Sequence, residues 1–280
     1  MNKQELKYIF FVSLLLSISF PPFPLGFLVP FALAIFIGFI IDKSPRDSFR
    51  LGYWLGLFWG AMTLFWISAS TLVGAVFAIT INALHYAVLW WIFAHFRKKS
   101  KTFALVSLPF LWTGFEFLRL FTDIRFNWMT LAYTQTYYRP FIQIVEVTGY
   151  LGLSFVLALF AVLIYLAFQL KNRWSLAPLT GIVLITISML FYGHTRIRHF
   201  ENREYPLIRA GLVQPNVDPF EKWDPEFQKD AFDMLMKASS DMLPLKPQLI
   251  VWPETATPFY LRGRVEQQGE IHNFVDSTRT

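Results

Sequence analysis

Glu254 stands directly behind the apolar run Leu249–Trp252 and Pro253. A carboxylate held at the end of a buried strand can serve as a general base, because burial raises its pKa toward the working range. The same residue also reads as a solvated loop glutamate. Two further charges, Glu116 and Arg119, lie one turn apart near the end of an apolar stretch. Charges inside a bilayer are costly and mark function; at a helix end, such a couple reads instead as an interfacial pair reaching for water. Asn82 and His85 share one face of another apolar stretch. Hydrogen bonding between helices is the common use of such residues, and a proton relay the alternative. Ser277 and Thr278 carry hydroxyls, but nothing in the sequence sets a base or an oxyanion donor beside either. The chain has no cysteine, so disulfides, thiolate metal sites and a thiol nucleophile are excluded from these residues.

The segment that positions Glu254 begins after Pro206. Leu207–Gln214, bounded by Pro206 and Pro215, fits a buried strand. Asp224-Pro225 reads as a helix N-cap followed by proline at the first helical position. Apolar residues then recur at helical spacing: Phe227, Ala231, Met234, Leu235, Ala238 and Met242. Pro244 and Pro247 end the helix, and Leu249–Trp252 is a second buried strand. Strand, crossover helix and strand make a βαβ unit with parallel strands, and ligands of open α/β sheets gather at the carboxyl ends of those strands. Two parallel strands and one helix do not cover both sheet faces. Residues 206–280 are therefore expected to be the opening third or so of an α/β domain.

What precedes this unit is of another kind. The 280 residues are 55% hydrophobic and 16% charged, where soluble domains carry about 25% charged residues. Residues 1–200 hold 16 Lys/Arg and 6 Asp/Glu, against 9 and 13 in residues 201–280. A single soluble globule and a disordered chain are both excluded. A bilayer crossing needs roughly 20 apolar residues. Tyr8–Ile41 has 34 uncharged residues interrupted by Pro21, Pro22 and Pro24, and predicts a hairpin of two short spans. Leu51–Phe96, uncharged over 46 residues and broken near Ser68–Ser70, predicts two more. Thr102–Phe121, Val147–Leu170 and Trp174–Thr195 complete seven. The expected organisation is a transmembrane helical domain over 1–196 and an α/β part over 206–280. Met1–Phe20 lacks a small-residue cleavage site before the prolines and reads as an uncleaved span.

Cytoplasmic loops collect lysine and arginine. With the N-terminus inside, Lys3, Lys7, Lys43, Arg46, Arg50, Arg97, Lys98, Lys99, Lys101, Lys171 and Arg173 all fall inside. The long outer loop keeps only Arg119, Arg125 and Arg139. Seven crossings then deliver the tail to the outer side. Basic residues scattered over loops are not a nucleic-acid footprint, which clusters on one face, so no nucleic-acid partner is expected. Gly52, Gly56 and Gly60 recur every four residues as a close-packing helix face. The aromatic segment Thr122–Phe141 reads either as an interfacial belt or as an entry for a lipid-bearing substrate.

Several motifs now carry a resemblance. Val213-Gln214-Pro215-Asn216, Lys222-Trp223-Asp224-Pro225 and Trp252-Pro253-Glu254-Thr255-Ala256 resemble, in order and spacing, the start of the exported domain of the apolipoprotein N-acyltransferases, members of the carbon–nitrogen hydrolase (nitrilase) superfamily. In the membrane half, Phe20–Gly26, Asn127-Trp128 through Tyr133–Gln135, and Thr148–Ser154 are also similar to that family. The resemblance implies a bacterial inner-membrane enzyme with a cytoplasmic N-terminus and an extracytoplasmic nitrilase-like part. It implies a phospholipid acyl donor, a diacylated apolipoprotein acceptor and no cofactor or metal. Glu254 matches the family's general base, and Trp223 a tryptophan of the substrate pocket. The family's lysine and nucleophilic cysteine have no counterpart here, since no lysine follows Lys246 and cysteine is absent. The chain is accordingly expected to be a fragment or shortened copy, inactive alone. A non-catalytic lipid- or lipoprotein-binding module is the main alternative. A transporter would need more intramembrane charge, and an anchored amidase would need one span, not seven.

Overall fold

The structure, a computed structural model, describes residues 2–121, 126–170, 176–218, 221 and 223–278. Arg125, Lys171, Arg173 and Lys222 lie outside the described residues, as do Thr122 and Trp174, the first residues of two expected segments. The chain forms two compact units, residues 1–202 and 203–280.

The first unit is helical. Its elements are α1 (Lys3–Ile18), α2 (Leu28–Ile40), α3 (Pro45–Leu64), α4 (Leu72–Lys99), α5 (Lys101–Leu118), the four-residue α6 (Arg139–Ile142), α7 (Val145–Gln169) and α8 (Leu176–Glu201). Local chemistry sets several starts. Asn2 and Glu5 form a reciprocal capping box on α1, Ser44 caps α3 ahead of Pro45, and Thr71 caps α4. Arg97, Lys98 and Lys99 fill the last turn of α4, where cations complement the helix dipole. Pro45–Ala69, Leu72–Lys99, Val145–Gln169 and Leu176–Glu201 are long and apolar enough to cross a membrane. The apolar α2 is shorter, at 13 residues.

The interior is aromatic. Trp59, Trp90 and Trp112 are fully buried, with Tyr86 between two of them at ring separations of 4.9 Å from Trp59 and 5.6 Å from Trp112. Phe10, Val76, Phe110 and Phe191 point outward and are exposed, as the lipid-facing side of a membrane bundle requires. The glycine face of α3 packs on α4. A Cβ on Gly56 would lie 2.8 Å from the Ala83 Cα, and one on Gly52 2.8 Å from the Tyr86 carbonyl oxygen. Only glycine permits this approach. Inside α7, Gly149 sits at φ +65° and interrupts the helix, a conformation that side chains with a Cβ disfavour.

Ion pairs and hydrogen bonds close the two ends of the bundle. At one end, Lys43 pairs with Glu5 at 2.9 Å and Arg97 with Asp42 at 2.9 Å. At the other, Tyr137 Oη donates to the Pro22 carbonyl at 3.1 Å and Tyr138 Oη to the Pro24 carbonyl at 2.8 Å.

The second unit holds β1 (Ala210–Leu212), α9 (Gln228–Asp241), β2 (Leu249–Val251) and α10 (Val265–Thr278). The strands pair in parallel, with Ala210 opposite Leu249 and Leu212 opposite Val251. They are shorter than the apolar runs predict and are not buried: Leu212, Leu249 and Val251 are exposed. A two-stranded sheet has two faces, and one helix shields only part of one. The helix also begins later than expected. The Asp224 carboxylate accepts from the Glu226 N–H at 3.0 Å, closing a local turn, and α9 starts at Gln228. Its buried face is Ala231, Phe232, Leu235 and Ser239, leaving Met234 exposed. Ser239 turns inward because its hydroxyl accepts from the Trp252 indole at 2.8 Å.

Candidate functional site

Glu254 follows β2 through Trp252 and Pro253, in a turn closed by the Ala256 N–H donating to the Pro253 carbonyl at 3.1 Å. Trp252 is fixed to α9 through Ser239, which in turn donates to the Leu235 carbonyl at 2.8 Å. This anchors the strand end from which Glu254 projects. Thr255 adopts φ +53°, a left-handed conformation that a β-branched residue rarely takes and that gathers at functional sites. Glu254 itself is exposed, with no buried strand behind it. Trp223 is also exposed, its ring 6.4 Å from that of Tyr260. Phe259 from the same stretch packs against Phe232 of α9, with the tilted rings 5.5 Å apart, so the segment after Glu254 is held against the helix. Ser277 and Thr278 lie at the end of α10 and donate to the Phe274 carbonyl, at 3.0 and 2.7 Å.

A second constellation lies inside the helical unit, and there the structure corrects the interfacial reading of Glu116 and Arg119. Both are buried, 1% and 4% exposed. Glu116 Oε1 accepts from the Trp112 indole at 3.0 Å and from the Leu131 N–H at 3.0 Å. Arg119 Nη1 donates to Asn82 Oδ1 at 2.9 Å, and its guanidinium lies 5.9 Å from the Tyr86 ring centre. Asn82 thus joins α4 to the α5 terminus, the interhelical use expected of it. His85, Glu116 and Arg119 border one small cavity with Tyr86 and Trp112. His85 Nδ1, Glu116 Oε2 and Arg119 Nε are each buried with no hydrogen-bond partner among the described residues.

The segment 126–138 is held by several anchors, with the buried Glu116 as the charged hub among them. The Ala132 N–H donates to Ser154 Oγ at 3.1 Å, Asn127 Nδ2 to Tyr150 Oη at 2.9 Å, and Gln135 Nε2 to the Gly26 carbonyl at 2.9 Å. The three membrane-half motifs, Phe20–Gly26, Asn127–Gln135 and Thr148–Ser154, therefore converge in space. Of the aromatic residues in this segment, Tyr137 and Tyr138 are tied to the proline hairpin. Tyr133 rests near Tyr150 at 6.1 Å, and Trp128 is exposed, with its ring 5.4 Å from Trp66. Sequence reading alone misses the hub, because Glu116 and Leu131, like Ala132 and Ser154, are linked by no local spacing. Among the described residues, no cluster of three His, Asp or Glu is placed to hold a metal ion.

Apolar helices wrapped around a buried, hydrogen-bonded polar core define a membrane protein with several helices, joined to a small α/β unit. Comparison with known proteins gives the family. Residues 12–163, more than half of the chain, match the family model described as the apolipoprotein N-acyltransferase N-terminal domain. The chain belongs to the apolipoprotein N-acyltransferase family. Curated relatives with that name include one from Chlorobaculum tepidum, 32% identical over 89% of this chain and 49% of the relative. Another, from Geobacter metallireducens, is 31% identical over 96% of this chain and 54% of its own length. A third, from Haemophilus influenzae, is 26% identical over 92% and 51%. The chain thus spans about half the length of these relatives.

Proposed function

We propose that this chain is the membrane half and the first part of the nitrilase-like domain of an enzyme that moves an acyl chain from a phospholipid to the N-terminal diacylglyceryl-cysteine of apolipoproteins. Glu254 acts as general base and Trp223 shapes the substrate pocket. The observation that carries this reading is Trp252-Pro253-Glu254 at the carboxyl end of a parallel strand, in a chain of this family. The chemistry asks for a thiolate that attacks the phospholipid ester carbonyl, expels the lysophospholipid and retains the acyl group as a thioester. The α-amine then attacks that thioester, and the carboxylate takes the proton first from the thiol and then from the amine. A cation beside the oxyanion stabilises both tetrahedral intermediates. The 280 residues contain no thiol, so alone they are expected to transfer nothing.

The same reading places seven spans in the inner membrane, the N-terminus in the cytoplasm and residues 206–280 outside as the nitrilase-like part. Supporting it, the pairs Glu5–Lys43 and Asp42–Arg97 gather at one end of the bundle, where the lysines concentrate. The 126–138 segment is tied to the proline hairpin at the other.

The test is a fusion of residues 1–280 to the remaining half of the Chlorobaculum relative, assayed for transfer of radiolabelled acyl groups from phospholipid to a diacylated lipopeptide. Transfer that falls by roughly two to four orders of magnitude in the Glu254→Gln fusion supports the assignment of the base. A well-folded fusion that transfers nothing sinks the acyl-transfer reading, and an undiminished Glu254→Gln fusion sinks the role of Glu254.

A further inference from the structure

Three polar atoms of the helical unit are buried with no hydrogen-bond partner among the described residues, and their residues border one cavity: His85 Nδ1, Glu116 Oε2 and Arg119 Nε. Buried polar atoms left unpaired are rare, and each one asks for an explanation. Three around a single cavity ask for an occupant.

The side chains are held in place by their other atoms. Glu116 Oε1 accepts from the Trp112 indole and from the Leu131 N–H, each at 3.0 Å, and Arg119 Nη1 donates to Asn82 Oδ1 at 2.9 Å. Turning either side chain toward a new protein partner would break one of these bonds. The leftover atoms differ in what they offer. Arg119 Nε–H only donates, and an ionised Glu116 Oε2 only accepts. His85 Nδ1 accepts when the ring proton sits on Nε2. An occupant that serves all three must accept once and donate twice, which water does. A cation would meet the Arg119 guanidinium and an anion the Glu116 carboxylate, so a neutral occupant suits the pair better than an ion. Size agrees. The cavity holds about 10 Å³, at the lower end of the roughly 10–15 Å³ that one water needs.

We propose that one water molecule is bound in this cavity, accepting from Arg119 Nε and donating to Glu116 Oε2 and His85 Nδ1. The water extends the Glu116 hub to His85 and joins α4 to α5 at a second point, beside the Asn82–Arg119 bond. The site does not rest on the acyl-transfer reading.

The purified 280-residue chain in detergent is equilibrated with heavy-oxygen water and given a millisecond X-ray pulse, which turns a bound water into a hydroxyl radical in place. Oxidised residues carrying the heavy isotope are then mapped. Corrected for intrinsic reactivity, label at Trp112 and Tyr86 is expected to stand several-fold above that at Phe36 and Phe93, which are also buried but do not border the cavity. Leu89 borders the cavity, so Leu89→Phe drives a ring into it and should bring Trp112 down to the level of Phe36. His85→Leu removes one of the three partners at a half-buried position and should lower the same label. A Trp112 labelled no more than Phe36 in the unaltered chain overturns the proposal, and this comparison decides even where Leu89→Phe does not fold. An unchanged Trp112 label in a folded Leu89→Phe chain overturns it as well.

Discussion

In residues 1–202, the long helices close most of their own backbone hydrogen bonds, and α3, α4 and α5 bury Trp59, Trp90 and Trp112 against their neighbours. In residues 203–280, the two strands pair only with each other, and Leu212, Leu249 and Val251 stay exposed. The contrast follows from where each element finds its partners. A helix satisfies its backbone locally and needs neighbours only for its side chains, whereas a parallel strand needs neighbours for both. The first unit therefore concentrates its risk in a few buried polar groups, and the second spreads it over an open sheet.

The sharpest way to break this contrast is to remove the hub. Glu116→Ala leaves the Leu131 N–H and the Trp112 indole unpaired and the buried Arg119 without a nearby carboxylate. A loss of roughly 3 kcal/mol is expected, read as a lower unfolding temperature in detergent. Hydrogen exchange should quicken first in residues 126–138. If that segment keeps its protection, Glu116 does not hold it. Next comes Gly56→Val, which forces α3 and α4 apart at Ala83. Overpacking of this kind costs about 1–3 kcal/mol, and a disulfide-free crosslinking ruler between the two helices should lengthen.

A smaller effect is expected in the α/β unit. Trp252→Phe deletes the bond to Ser239 while keeping most of the ring, at a cost of about 1 kcal/mol. Exchange should quicken in β2 and α9 and stay unchanged in α1–α8. A change that reached the helices would show the two units to be energetically coupled. The smallest effect belongs to Glu5, which precedes the apolar stretch. Its hydrogen bond to Lys43 holds the carboxyl below its ordinary value. A depressed carboxylate stabilises the fold above its unfolded-state pKa and loses that contribution as pH falls through the folded value. Lys43→Met should remove this acid-side dependence and little else, because a single half-buried pair at a helix end contributes little.

The helices were largely legible in the sequence. Uncharged runs and the breaks between them mark α1 to α5, α7 and α8, since helix formation in an apolar setting depends on local composition. The Gly52 and Gly56 face was legible for the same reason. The parallel strand pair also follows from the punctuation of Pro206, Pro215 and Pro253. Two features were not legible. The face that α9 buries is set by the Trp252 indole reaching Ser239 across 13 residues, and no periodicity encodes that contact. The role of Glu116 depends on Leu131, 15 positions away along the chain. Its charge and its place near a helix end point outward to water, while the tertiary structure turns it inward.

The hub also sets a timetable for synthesis. A chain emerging from the ribosome delivers α5 before residue 131 exists and well before residue 154. During that interval Arg119 already has Asn82 and Glu116 the Trp112 indole, but the Leu131 N–H that completes the Glu116 shell is missing, and an under-satisfied charge at membrane depth is expensive. The last turn of α5 is therefore expected to settle fully only when the following loop arrives. Codons that slow translation between residues 119 and 131 would prolong that unsettled state, and a pause placed after residue 154 would not.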